Sequence, residues 1–208
     1  GFAASAEQVN NKSSPWTDKV GDRVAHENLT VLDNGLSEMG LLSAVIDDEG
    51  TPTQTTPVIE KGVLKSYFRD NYNARQMDLS STGNGIRRNP RDAQGGFISG
   101  AACRPTTLEA SAGFKSVDDI INGIDKGVYI EHFAYPLVDP MAGTFSNEVR
   151  NACLIENGEL TTQVKYGLLT GNLYESLMKE ITLGVDLQAN SRYVMPTMAF
   201  SDVDLVGQ

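Results

Sequence analysis

The chain lacks most of the features that would betray its role directly. Two cysteines, Cys103 and Cys153, occur in 208 residues, too few for the disulfide framework of a small secreted domain, so a reducing, cytoplasmic setting is expected. Positive charge is in deficit. Lys and Arg number 17 against 27 Asp and Glu, a formal net charge of −10, which argues against a direct nucleic-acid binder built on a basic face. No apolar run approaches the ~18–20 residues needed to cross a bilayer, and Gly1 to Glu7 offers no basic segment followed by an apolar one. A soluble protein without membrane contact is expected. The chain begins at Gly1 rather than Met and is read as a fragment. What is present is apolar material, 40% of the residues, enough for one large core or two small ones.

Local patterns give a mixed architecture. Phe2 to Asn11 reads as a helix stopped by Ser13-Ser14-Pro15. Val20 to Leu32 carries short β-type runs, Asp33-Asn34-Gly35 is a turn signal, and Leu41 to Ile46 reads as a buried strand ended by the acidic turn Asp47-Asp48-Glu49-Gly50. Two hairpins stand out. Thr55 to Glu60 and Val63 to Phe68 flank Lys61-Gly62, and Ala152 to Glu156 and Glu159 to Tyr166 flank Asn157-Gly158. Their likeness is read as shared turn chemistry rather than duplication. Helices are expected after Ser116, where Asp119 completes a capping box and Gly127 is read as the C-cap, after Asn172 as far as Gly184, and over Asn71 to Met77. Ser80 to Gly100 is a loop with five glycines, of a length that is usually functional. Several hairpins with separate helices predict an α+β fold, a large mixed or mostly antiparallel sheet with a few helices. No linker divides the chain, so one domain over 1–208 is expected.

Residue chemistry alone supplies candidates and no catalytic signature. His26-Glu27 starts like a zinc-peptidase motif, but Thr30 stands where the second imidazole is required. His132, Cys103 and Cys153 share no ligand spacing. Gly83-Asn84-Gly85 opens like a dinucleotide fingerprint, yet Arg88 replaces the third glycine. Arg87, Arg88 and Arg91 form the densest positive cluster, suited to a carboxylate, a phosphate or an acidic partner surface, and equally to a solvated loop. Asp47, Asp48 and Glu49 offer three carboxylates for acid/base or metal chemistry; on an extended segment at most two can face one ligand.

The order of segments resembles the TldD/PmbA family, described as peptide-maturation proteases and as modulators of DNA gyrase. The residues that carry the resemblance are Asp47-Asp48-Glu49-Gly50-Thr51-Pro52-Thr53-Gln54, Ile59-Glu60-Lys61-Gly62-Val63-Leu64, Thr82-Gly83-Asn84, Ile155-Glu156-Asn157-Gly158-Glu159, Gly171-Asn172-Leu173 and Val206-Gly207-Gln208. Ser5 to Gly21 looks most like the PmbA (TldE) branch. The resemblance implies that the chain is the C-terminal region of such a protein, with an N-terminal half absent. It further implies that a TldD-type subunit carries zinc on a His-Glu-x-x-x-His helix and a late Cys. Here the corresponding segments are Ala3 to Lys12, without His, and Ser191 to Pro196, without Cys. No cofactor is therefore expected in this chain, and zinc is expected in a TldD-type partner. The implied partners are that subunit or a second copy, forming a dimer, and an extended peptide substrate. Thr82, Gly83, Asn84 and Arg87 are the expected lining of the substrate channel, with Asp47, Asp48 and Glu49 as further contacts. Two alternatives remain: a hydrolase using those carboxylates with another metal, and a non-enzymatic protein acting on a partner such as gyrase.

Overall fold

The computed structural model describes residues 2–87, 100–201 and 203–207. The chain forms two compact units, one of Gly1–Ser111 with Gln188–Met195, the other of Ala112–Leu187 with Pro196–Gln208. Each has its own sheets, and the described helices are short, so the α+β expectation holds with the strands shared among several mostly antiparallel sheets.

The first unit is built on a six-stranded sheet in the order Gln188–Asn190, Tyr193–Met195, Leu108–Ala110, Val31–Asn34, Thr55–Glu60, Val63–Leu64. All its pairings are antiparallel except that of Tyr193–Met195 with Leu108–Ala110. The turn at Lys61-Gly62 closes the expected hairpin because both residues take positive φ, 48° and 78°, the geometry that matches strand twist. Leu64 and Phe68 are fully buried, and Ile86 and Val194 nearly so; each such side chain contributes about 1.5–3 kcal/mol on burial. A short ladder, Gly85–Ile86 against Ala102–Cys103, gives order to part of the glycine-rich loop. Helix Ala6–Asn10 buries Ala6 and Val9. Helix Asn71–Gln76 is capped by Asp70, whose side chain accepts from Asn73 N.

In the second unit the 13-residue strand Thr144–Glu156 is central, paired with Lys126–Phe133, Gly167–Asn172 and Glu159–Val164, with Asp204–Gly207 outside Gly167–Asn172. Its core gathers Val149, Ala152 and Leu169, with Phe133, Phe145 and Leu205 packed against them. The Asn157-Gly158 turn again has two positive φ values, 52° and 82°. Helix Val117–Asn122 has the full capping box of Ser116 and Asp119, and Asn172 caps Leu173–Met178 through bonds from Tyr174 N and Glu175 N.

Three local expectations need correction. Leu41 to Ile46 is not a buried strand: Leu41 and Val45 are 78% and 77% exposed. Its backbone bonds go to separate places, Leu41 N to Ser191 O and Ala44 N to Gly35 O, rather than into one ladder. Gly127 is not a helix cap, because the helix ends at Gly123 and Gly127 already lies in the strand Lys126–Phe133. The helix after Asn172 stops at Met178, where Lys179 turns extended, and Ile181–Leu183 becomes a strand against Met198–Phe200.

Candidate functional site

The acidic turn and the glycine-rich loop, about 35 residues apart in sequence, meet in the first unit. Asp47 is buried. Its Oδ1 accepts from Glu49 N at 3.0 Å and Thr51 N at 2.8 Å, which folds the turn, and its Oδ2 accepts from Gly85 N at 2.9 Å. Asp48 N donates to Gly85 O at 3.0 Å, and Asp48 Oδ2 accepts from Arg87 N at 2.8 Å. Glu49 Oε2 accepts from Asn71 N at 2.8 Å, at the start of a helix. These carboxylates therefore clamp backbone N–H groups, a charge-assisted use that fixes loop position. A Cβ at Gly85 would displace the Glu49 carboxylate from its place against Asn71 N. Gly83 has φ +73°, and a Cβ would lie 2.5 Å from Pro52 O.

Behind this clamp runs a buried polar chain. Thr82 Oγ1 accepts from Arg69 N at 2.6 Å and donates to Asn84 Oδ1 at 2.5 Å. Asn84 Nδ2 donates to Asp33 Oδ2 and, at 3.0 Å, to Arg104 O. Asp33 Oδ1 accepts from Thr106 N, Thr106 Oγ1 and Thr107 N at 2.8, 3.0 and 3.1 Å. Asn84 is 0% and Asp33 1% exposed, so each polar atom must be answered inside the protein. Burial pushes the Asp33 carboxyl up to about 6, outweighing the bonds from Asn84, Thr106 and Thr107, which favour its ionised form.

All seven sequence candidates fall in this region: Asp47, Asp48, Glu49, Thr82, Gly83, Asn84 and Arg87. Arg88 and Arg91 of the expected cationic cluster lie outside the described residues. Sequence reasoning missed Asp33, read as the first residue of a turn. The strand in fact runs through Asn34, and the turn begins there, Asn34 Oδ1 accepting from Leu36 N. The available signal was an Asp on the inward step of Val31-Leu32-Asp33-Asn34, where alternation calls for an apolar residue. Arg69 was missed as well. Its Nε donates to Ser80 O and its Nη1 to Ser66 Oγ and Tyr67 O.

The side chains that could bind zinc do not fit a site. Among the described residues no three His, Cys, Asp or Glu side chains are arranged to hold a metal ion. Cys103 is buried, its Sγ donates to Phe68 O at 2.9 Å, and burial pushes its thiol up, away from the thiolate a metal requires. His26 Nδ1 accepts from Asn28 N. Among the described residues no helix is long and apolar enough to cross a membrane.

Comparison with known proteins agrees with this architecture. The family model of the PmbA/TldA metallopeptidase C-terminal domain matches residues 1–207. A metalloprotease TldD homolog of Buchnera aphidicola is 36% identical over 180 residues, covering 85% of this chain and 35% of that protein. A Thermotoga maritima structure named for proposed modulation of a DNA gyrase superposes with a TM-score of 0.87 at 28% identity, covering 98% of this chain and 45% of the other. TldE from Thermococcus kodakarensis gives 0.86 at 30% identity, covering 99% and 46%. The chain thus spans less than half the length of these relatives, and its identity to the TldD-named homolog, 36%, is higher than that to TldE, 30%. With the fold shared over nearly all of its length and the family model running across both units, the chain belongs to the PmbA/TldD metallopeptidase family.

Proposed function

We propose that this chain is part of a PmbA/TldE-like subunit that holds no zinc itself and works in the cytoplasm with a zinc-bearing TldD-type subunit, or as a dimer with its own copy, on extended peptides during maturation or degradation. One observation carries the reading. The helix Ala6–Asn10 turns Ala6 and Val9 inward and has Glu7, Gln8 and Asn10 as its remaining side chains, and the strand Tyr193–Met195 has no thiol, so neither segment supplies the imidazole or thiolate that the zinc-binding branch carries there. The superposition on TldE supports the same branch. In this reading the buried stretch from Thr82 to Ile86, clamped by Asp47, Asp48 and Glu49, holds the half-buried Arg87 at the edge of the peptide channel, and exposed sheet edges offer main-chain pairing to an extended substrate.

Co-purification of the full-length protein with a TldD-type subunit, followed by a peptide-cleavage assay of each component and of the mixture, tests the assignment. Cleavage is expected from the mixture and not from this protein alone; zinc-dependent cleavage by this protein alone would contradict it. A second reading, modulation of a partner such as gyrase without proteolysis, is favoured by the name attached to the Thermotoga maritima relative. At a net charge of −10 such an effect would pass through protein contact rather than through DNA.

A further inference from the structure

An open cavity of about 540 Å³ lies in the first unit, at the outer edge of its six-stranded sheet. None of the residues of the acidic turn or the glycine-rich loop lines it. Three stretches of chain build its wall. Gly21 to Ala25 runs along the edge strand, with Gly21 N donating to Leu64 O, Leu64 N to Asp22 O and Val24 N to Gly62 O, at 2.8, 2.9 and 2.8 Å. The turn that follows is closed by Leu29 N on His26 O. It leaves Glu27 exposed, while Val24, Ala25 and Leu29 are buried and pin the ribbon. The hairpin turn is tied to that ribbon by Lys61 N on Thr30 Oγ1 and by Gly62 N on Leu29 O.

Five charged side chains line the cavity, Arg23, Lys61 and Lys65 against Glu27 and Glu60. Lys65 and Glu60 answer each other at 3.0 Å. Among the described residues Arg23, Lys61 and Glu27 make no ion pair. The Arg23 guanidinium has one long bond, Nη1 to Ala25 O at 3.5 Å, and lies close to Gly62, where a Cβ would come within 2.9 Å of it. Both signs of charge therefore line one cavity without neutralising each other. The half-buried Val63 gives the lining an apolar part.

These charges define a ligand. Two cations and one anion are complemented by a molecule with two carboxylates and one ammonium. The Arg23 fork takes one carboxylate by paired hydrogen bonds, Lys61 takes the other as a point charge, and Glu27 takes the ammonium. The methylenes between the charges lie against Val63. A phosphate ester has nothing for Glu27. The volume falls within the range of about 300–1,000 Å³ usual for small-molecule pockets.

We propose that Arg23, Lys61 and Glu27 form a binding site for a free acidic amino acid, glutamate or aspartate. The site stands on this cavity and its charges, independently of the peptidase reading. All three side chains are exposed, so water and salt screen each attraction and binding is weak and salt-sensitive.

The test is a ligand-observed NMR titration of the full-length protein at low ionic strength with L-glutamate, L-aspartate, L-glutamine and glutarate. One or both acidic amino acids should bind at least fivefold more tightly than glutamine, which lacks the second carboxylate, and than glutarate, which lacks the ammonium. In Arg23→Gln and in Lys61→Gln, each checked for an unchanged melting temperature, the preference over glutamine should fall below twofold. In Glu27→Gln the preference over glutarate should fall below twofold while that over glutamine persists. The three substitutions are separate, so one that unfolds the protein leaves two to decide. If neither acidic amino acid binds the wild type saturably, or glutamine binds as well as they do, the site is overturned. Glutarate binding as well as glutamate and aspartate would overturn the amino-acid assignment. Preferences unchanged in the folded variants would overturn the place of the site. None of these results bears on peptide cleavage, which the reconstituted pair tests separately.

Discussion

Asp33 offers the sharpest physical test of the buried network, because its environment converts directly into a dependence of stability on pH. The carboxyl is 1% exposed, and burial raises it from an ordinary 3.8 to about 6. In the unfolded chain the same group titrates near 3.9. Between these two values the folded protein holds a proton that the unfolded chain has released, so the free energy of unfolding falls as pH rises. A separation of about two pH units, at about 1.4 kcal/mol each, amounts to roughly 3 kcal/mol. That stability is fully present below about pH 4 and is lost as pH climbs through about 6.

Urea unfolding of wild type and Asp33→Asn from pH 4 to pH 8 isolates this contribution, since the other carboxylates cancel in the difference. At pH 4 the variant should be the less stable by about 1–3 kcal/mol, because its amide meets Asn84 or Thr106 donor to donor. Toward pH 7 it should gain on the wild type by roughly 3 kcal/mol. A difference that stays flat across the range, or a carboxyl midpoint by carbon NMR below about 4.5, would refute the reasoning.

The clamp between the acidic turn and the loop yields two more expectations. Asp47→Ala removes the acceptor for Glu49 N, Thr51 N and Gly85 N and should cost about 2–4 kcal/mol, with faster hydrogen exchange at the Gly85 amide as the specific sign; slowed or unchanged exchange there would count against the clamp. Gly83→Ala and Gly50→Ala form a matched pair. Both glycines have positive φ, +73° and +79°, but a Cβ at Gly50 meets open space while one at Gly83 meets Pro52. By thermal denaturation Gly50→Ala should cost about 1 kcal/mol and Gly83→Ala about 1–3 kcal/mol more; equal losses would show that the loop yields freely.

What could be read from sequence was what depends on neighbours along the chain. Lys61-Gly62 and Asn157-Gly158 announce turns because Asn, Gly and flanking β-formers act over a few residues. Ser116 with Asp119, and Asn172, announce helix starts for the same reason. Leu41 to Ile46 misled because its apolar residues look like a core strand, whereas the burial of Asp47 and the bond it draws from Gly85 are set by parts of the chain that sequence alone does not bring together. Helix length after Asn172 failed similarly: Ile181 keeps the helical spacing, yet pairing with Phe200 takes it into a sheet. The candidate site was half legible. The acidic run and the loop from Thr82 to Arg87 were each visible as segments, but their meeting was not.

Whether this protein holds zinc on its own side chains is read from the metal content of the purified full-length protein. Elemental analysis after zinc loading and dialysis should find well under one zinc per chain for this protein alone, and about one per TldD-type subunit in the reconstituted pair. One tightly held zinc per chain in this protein alone, with X-ray absorption showing nitrogen or sulfur ligands from its own side chains, would contradict the claim.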